Sequence, residues 1–150
     1  MSLFDKISED LKAAMLAKQK DRLETLRAIK TALLMAKTES GAHEITADAE
    51  LKILQKLAKQ RKESAEIYNT QNRPDLSRKE TDEAAIIEEY LPKQLSEEEI
   101  IPLLKAIIIR TGATSAADMG KVMGAASKEL AGKADGRMIS SKVKELLASI

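Results

Sequence analysis

The chain has 150 residues, 43% apolar and 33% charged, with 25 Lys+Arg against 24 Asp+Glu and a net charge of +1. A chain of this length buries roughly 70% of the surface its unfolded form exposes, so a core without staples is expected. The absence of cysteine excludes disulfides, thiolate metal sites and thiol nucleophiles.

Aromatic residues are scarce: Phe4, Tyr68 and Tyr90 are the whole set. That argues against a β-sandwich or barrel and against gripping single-stranded RNA by base stacking. Ala, Leu, Lys, Glu and Ile dominate instead, and these are mostly helix formers. No apolar run approaches the ~20 residues that span a bilayer. Acids stand among the first apolar residues of MSLFDKISEDLKAAM, which does not read as a signal peptide. The expectation is an all-α protein in the cytoplasm, with no membrane partner.

Helical periodicity runs almost from end to end. Phe4, Ile7, Leu11 and Met15 form a first stripe, and Leu23, Leu26, Ile29 and Leu33 a second, with Asp21 at the start of that helix and Ser40-Gly41 as its stop. Thr46 opens a third helix, with Asp48 and Glu50 in its first turn. Its stripe is Leu51, Leu54, Leu57 or Ala58, Arg61, Ala65 and Tyr68, and Asn72-Arg73-Pro74 ends it. Asp75 is predicted to cap a fourth helix with stripe Leu76, Glu80, Glu83, Ile87 and Tyr90. Leu91-Pro92 then marks a boundary, giving an N-terminal antiparallel bundle of about four helices over residues 1–92 and a three-helix part over 93–150.

In the second part, Ser96 and Glu99 fit a capping box. The stripe Ile100, Leu104, Ile107, Ile108 follows, closed by Thr111-Gly112. Pro102 loses the bond to the Glu98 carbonyl and is expected to kink or delay this helix. Ser115 caps the next, with Asp118 at the capping-box position and a stripe of Met119, Val122, Met123, Ala126 and Leu130. Ala131-Gly132 stops it. Asp135 caps the last helix, which turns Ile139, Val143, Leu146 and Leu147 inward. Short connections predict antiparallel neighbours.

Few residues offer chemistry. Arg61 breaks the third stripe, and Glu80 and Glu83 break the fourth. With the Asn72–Pro74 turn between them they are expected to meet as an interhelical ion pair that fixes register, rather than as a catalytic carboxylate. His43, the only histidine, reads as a solvated loop residue, and neither a metal site nor a G-x-S-x-G nucleophile is present. Gly132-Lys133-Ala134-Asp135-Gly136 lacks the spacing of a phosphate loop. No cofactor is implied.

Charge is uneven: from Gly120 onward there are 6 Lys+Arg against 3 Asp+Glu. Gly120 and Gly124 lie one helical turn apart, where glycine costs ~1 kcal/mol against alanine. Their lack of Cβ atoms admits a close backbone, either a neighbouring helix or an RNA sugar-phosphate. Residues Gly132 to Arg137 lead into a helix N-terminus, where free N–H groups and the macrodipole favour an anion. Lys133 and Arg137 flank it and Lys142 follows, although the Asp135 cap satisfies some of those donors.

The runs QRKES (60–64), NRPDLSRKE (72–80), EYLPKQLSEEEI (89–100), DMGKVMG (118–124) and GKADGRMIS (132–140) together resemble the GatB/YqeY family. The C-terminal part is similar to the tail domain of the B subunit of the tRNA-dependent amidotransferase, which contacts the tRNA body. The resemblance implies tRNA contact at Gly120, Lys121, Gly124, Gly132 and Lys133. It also implies an association with carbon–nitrogen ligase chemistry, with glutamine as amido donor. The catalytic cradle for ATP and magnesium in that subunit has no counterpart here, so the expectation is a tRNA-binding helical protein without catalytic machinery of its own. Two alternatives stand beside it: an accessory subunit in amide transfer, working with amidotransferase subunits or an aminoacyl-tRNA synthetase, and a helical protein-interaction module.

Overall fold

The computed structural model describes residues 2–41 and 44–150. His43, read above as a solvated loop residue, lies outside the described residues. Among those described, the chain forms seven α-helices, one 3-10 turn and no strand, so it is all-α as its composition implied. It divides into two compact units, Met1–Leu91 and Pro92–Ile150.

In the first unit, α1 (Leu3–Leu16) opens on a capping box that the stripe reading passed over. The Ser2 hydroxyl accepts from the Asp5 N–H at 3.1 Å, and the Ser2 N–H donates to the Asp5 carboxylate. Ile7 and Ala14 are its buried residues. They are seven apart, almost two full turns, so Ala14 and not Met15 continues the inward face; Met15 is half exposed.

Helix α2 (Lys20–Ser40) carries Asp21 in its first turn and ends at Gly41, whose φ of 66° is the left-handed conformation that glycine adopts without strain. Thr25, Leu26, Ile29 and Leu33 are its buried face. Helix α3 (Ala47–Thr70) starts where expected, the Thr46 hydroxyl accepting from the Ala49 N–H at 3.1 Å.

Helix α4 (Pro74–Glu88) begins differently from the prediction. Arg73 is the N-cap and Pro74 the first helical residue, where its missing N–H is no loss. Asp75 sits inside the first turn and pairs with the Arg73 guanidinium at 3.2 Å instead of capping. The buried positions are Ser77, Ala84 and Ile87; Glu80 and Glu83 lie at the edge of that face, half-buried. Helices α3 and α4 form an antiparallel hairpin, pairing Arg61 with Glu83 and Lys62 with Glu88 across the intervening turn. Ile7, Leu26, Ile29, Leu33, Leu54 and Ile87 are the main members of the first core. All three aromatic residues belong to this unit, and the Tyr90 hydroxyl donates to Asp10 of α1.

In the second unit, α5 (Glu97–Thr111) begins on the expected capping box, Ser96 accepting from the Glu99 N–H at 3.1 Å. Its buried residues are the predicted four, Ile100, Leu104, Ile107 and Ile108, and it closes on Gly112 at φ 70°. Pro102 does not delay the helix: α5 already starts at Glu97, with Pro102 on its exposed side. Ser115 and Asp118 form a capping box around a 3-10 turn, Ala116–Asp118, and α6 (Met119–Glu129) follows from it. Helix α7 (Gly136–Ala148) completes the unit. Leu104, Ile107, Val122, Ala126, Ile139 and Val143 anchor the second core.

The Ser96 box is worth measuring. Ser96→Ala is expected to lower the stability of this unit by about 1 kcal/mol, read as a reduced midpoint in urea followed by far-UV circular dichroism.

Among the described residues no single helix is long and apolar enough to cross a membrane. Helices α5 and α6 reach that length and composition only as a pair bent by 94°, and both turn their apolar stripes into the second core.

Candidate nucleic-acid interface

The exposed face of α6 follows from its sequence. At 100° per residue, Ser127, Gly120, Gly124, Lys128 and Lys121 fall in that order across one arc of about 120°, and all five are exposed. Val122 and Ala126 point the opposite way, into the core. A Cβ built on Gly120 or Gly124 meets no atom within 4 Å. The glycines therefore do not admit a neighbouring helix of this chain. They leave a strip of bare backbone facing outward, about 6 Å long by the rise of the helix, with two lysines along one side.

Lys128 was not picked out in the sequence, although its spacing of seven from Lys121 puts both on one side of a helix. Lys121 follows Asp118 by less than a turn. The Asp118 carboxylate turns back to accept from the Thr114 N–H at 2.9 Å and the Ser115 N–H at 3.3 Å. The Thr114 bond chiefly, with the Ser115 bond and Lys121, holds Asp118 below the usual carboxylate range against some desolvation.

Between α6 and α7 the chain makes a tight turn. Gly132 is buried with φ 74°, a conformation that side-chain-bearing residues rarely take. The Lys133 N–H donates to the Leu130 carbonyl at 2.9 Å, and the Lys133 residue stands exposed. Asp135 caps α7 and accepts from the Arg137 N–H at 3.3 Å. The helix N-terminus considered above for an anion thus already receives a carboxylate of its own chain. Arg137 is exposed beside it.

The sequence-derived cations divide into two kinds. Lys121, Lys133 and Arg137, together with Lys128, are exposed and in no ion pair among the described residues. Lys142 is engaged: its ammonium lies 3.1 Å from both Glu97 and Glu145, and these two hydrogen bonds raise its pKa. It ties α7 to the first turn of α5.

In the first unit, Arg61 and Glu83 meet at 3.5 Å, with side chains 19% and 18% exposed. The Arg61 Nε is buried without a hydrogen-bond acceptor. Glu80 does not share the pair. Burial first, then the Glu80 charge, pushes the Glu83 carboxyl up, and Arg61 opposes both.

Comparison with known proteins places the sequence in a family. The altered inheritance of mitochondria protein 41, mitochondrial, of Pyrenophora tritici-repentis is 31% identical over 150 aligned residues, covering 96% of this chain and 80% of the relative. The proteins of the same name from Meyerozyma guilliermondii and Clavispora lusitaniae are 38% and 35% identical over 57% and 60% of this chain. Those matches span 44% and 52% of the two relatives. The family described as Yqey-like protein matches residues 4–147. With nearly its whole length matched, the chain belongs to the Yqey-like protein family.

Proposed function

We propose that this protein binds transfer RNA through the sugar-phosphate backbone, using the second unit and no catalytic machinery of its own. The observation that carries this reading is the outward glycine strip of α6, Gly120 and Gly124, bordered by Lys121 and Lys128. Bare backbone lets a polyanion come close and cations outside any ion pair attract it, and this face supplies both. Lys133 and Arg137 extend the supply of positive charge. The second unit also contains no aromatic residue, which favours recognition by shape and phosphate over base stacking. The resemblance of the C-terminal part to the amidotransferase B-subunit tail points the same way. We place this work in the cytoplasm; the mitochondrial names of the relatives make the mitochondrion the alternative compartment.

With Lys121, Lys128, Lys133 and Arg137 as phosphate contacts, log K for total tRNA against log salt is expected to have a slope of about −2 to −4. Filter binding measures it. The triple variant Lys121→Ala/Lys133→Ala/Arg137→Ala is expected to remove about three quarters of that slope, since three of the four contacts are lost. Absence of binding at low salt, or a triple variant that binds like the parent, would overturn the reading.

A second reading, a protein-interaction module, is favoured by the exposed Met15, Leu16, Leu34 and Met35 of the first unit. The accessory role in amide transfer stands beside it as a separate alternative. Pull-down with amidotransferase subunits or an aminoacyl-tRNA synthetase tests it, and capture that survives the triple variant would support it.

A further inference from the structure

The turn that carries Lys133 is held from one side by the segment entering the second unit. The Gln94 side-chain amide donates to two backbone carbonyls, Pro92 at 2.9 Å and Gly132 at 2.6 Å. The next residue adds a third bond, the Leu95 N–H donating to the Lys133 carbonyl at 2.8 Å. Two consecutive carbonyls of the turn, those of Gly132 and Lys133, are thus fixed by Gln94 and Leu95.

Several features set this contact apart from ordinary loop bonding. It joins residues 38 apart in sequence. Both amide hydrogens of Gln94 are used, so rotating the side chain breaks two bonds together. Gly132, the residue it holds, is buried and in a left-handed conformation that glycine takes without strain, so the bonds from Gln94 and Leu95 tie an already tight turn to the segment beside it. Leu95 packs against the second core and anchors the holding segment in turn. The outcome for Lys133 is simple. Its carbonyl and N–H are both occupied, by Leu95 and Leu130, while its side chain is left exposed.

We propose that Gln94 is a positioning residue for RNA contact: by bridging Pro92 and Gly132 it fixes the Gly132–Lys133 turn so that the Lys133 ammonium is presented to a phosphate. This rests on the RNA-binding reading above. Gln94 itself touches no ligand and acts through Lys133. A backbone already fixed beneath Lys133 leaves only the side chain to be ordered on binding, which lowers the penalty of making the contact.

The test is a double-mutant cycle on the full chain, with total tRNA as probe. Lys133→Ala is expected to weaken binding about threefold at moderate salt and to flatten the salt slope by about one. Gln94→Ala is expected to weaken binding to a similar degree. In the Lys133→Ala background, Gln94→Ala is expected to add nothing, because its effect passes through the lysine. A purely structural role for Gln94 would weaken both backgrounds equally, and that result overturns the inference, as does a Gln94→Ala protein that binds like the parent.

Hydrogen exchange in the unaltered protein gives a second measurement that needs no folded variant. If the turn is fixed for binding, linkage requires saturating tRNA to slow exchange at the Leu95 amide. Unchanged exchange there, with tRNA bound, overturns the inference while leaving the RNA reading intact. A parent protein that binds no tRNA removes both, and that arm is read before any variant is made.

Discussion

Arg61→Met is expected to destabilise the first unit by about 2–3 kcal/mol, below the ~3–5 kcal/mol of breaking a fully buried pair, because both partners keep nearly a fifth of their side-chain surface in water. The substitution keeps most of the side-chain volume, so packing is not the main loss. What remains is Glu83, half-buried and beside Glu80, with Lys79 but no longer Arg61 to offset both effects. Arg61→Met/Glu83→Met is expected to recover most of the loss, since two apolar side chains at an interhelical seam replace an ion pair at little net cost.

The pH dependence separates this account from a packing defect. Glu83 already titrates above its ordinary range, and losing Arg61 moves it further in the same direction. A carboxyl with a raised native pKa binds its proton in the folded state at a pH where the unfolded chain is still ionised. The folded state then binds more protons, and stability rises as pH falls through that window. The penalty of Arg61→Met is therefore expected to shrink as pH drops from neutral toward about 4.3. Urea titrations at several pH values, followed by the tyrosines of this unit, measure it. A penalty independent of pH would assign the loss to packing.

Gly124→Ala is expected to raise the stability of the second unit by about 0.5–1 kcal/mol while lowering its affinity for RNA. Stability and binding are expected to move in opposite directions because the position has no packing reason to be glycine. Its Cβ would enter open space, and the residue lies in the middle of α6, where alanine is the better helix former. Gly120 also faces open space but sits in the first turn, so Gly120→Ala is expected to gain less. For RNA, the added methyl groups hold the sugar-phosphate away from the helix backbone, and Gly124→Leu is expected to weaken tRNA binding more than Gly124→Ala. Thermal melts and filter binding on the same preparations measure the pair. If Gly124→Leu binds tRNA like the parent, close backbone approach at α6 has no part in recognition.

Most of the helical architecture was legible because its signals are local. Thr46, Ser96 and Ser115 are caps whose partners stand two or three residues away, and Gly41 and Gly112 stop helices by their own φ angles. The α4 start went otherwise because two signals compete in Arg73-Pro74-Asp75. Proline is at home in the first helical position, and this displaces the cap to Arg73. The Met15-for-Ala14 difference has the opposite origin: a large side chain drew the stripe, but helix geometry placed the small one inward.

The candidate site was legible only in part. Glycine spacing and clustered cations marked α6 and the turn after it. Whether a glycine admits an internal neighbour or an external one depends on packing that no local pattern encodes, and here Gly120 and Gly124 turn outward. Lys142 looked like its fellow cations until Glu97, 45 positions earlier, met it. Gln94 stood in one of the runs that carry the family resemblance but showed no role there, because an amide that binds backbone carbonyls leaves no pattern in side-chain chemistry.

The confinement of Phe4, Tyr68 and Tyr90 to the first unit makes the protein its own two-channel reporter. Tyrosine emission and near-ultraviolet dichroism arise from one half of the molecule, whereas the amide bands record both. A denaturation curve that differs between the two signals would reveal halves melting separately, without dye, tag or truncation. The same silence of the second half means that any change in tyrosine emission on adding a ligand must originate in the first.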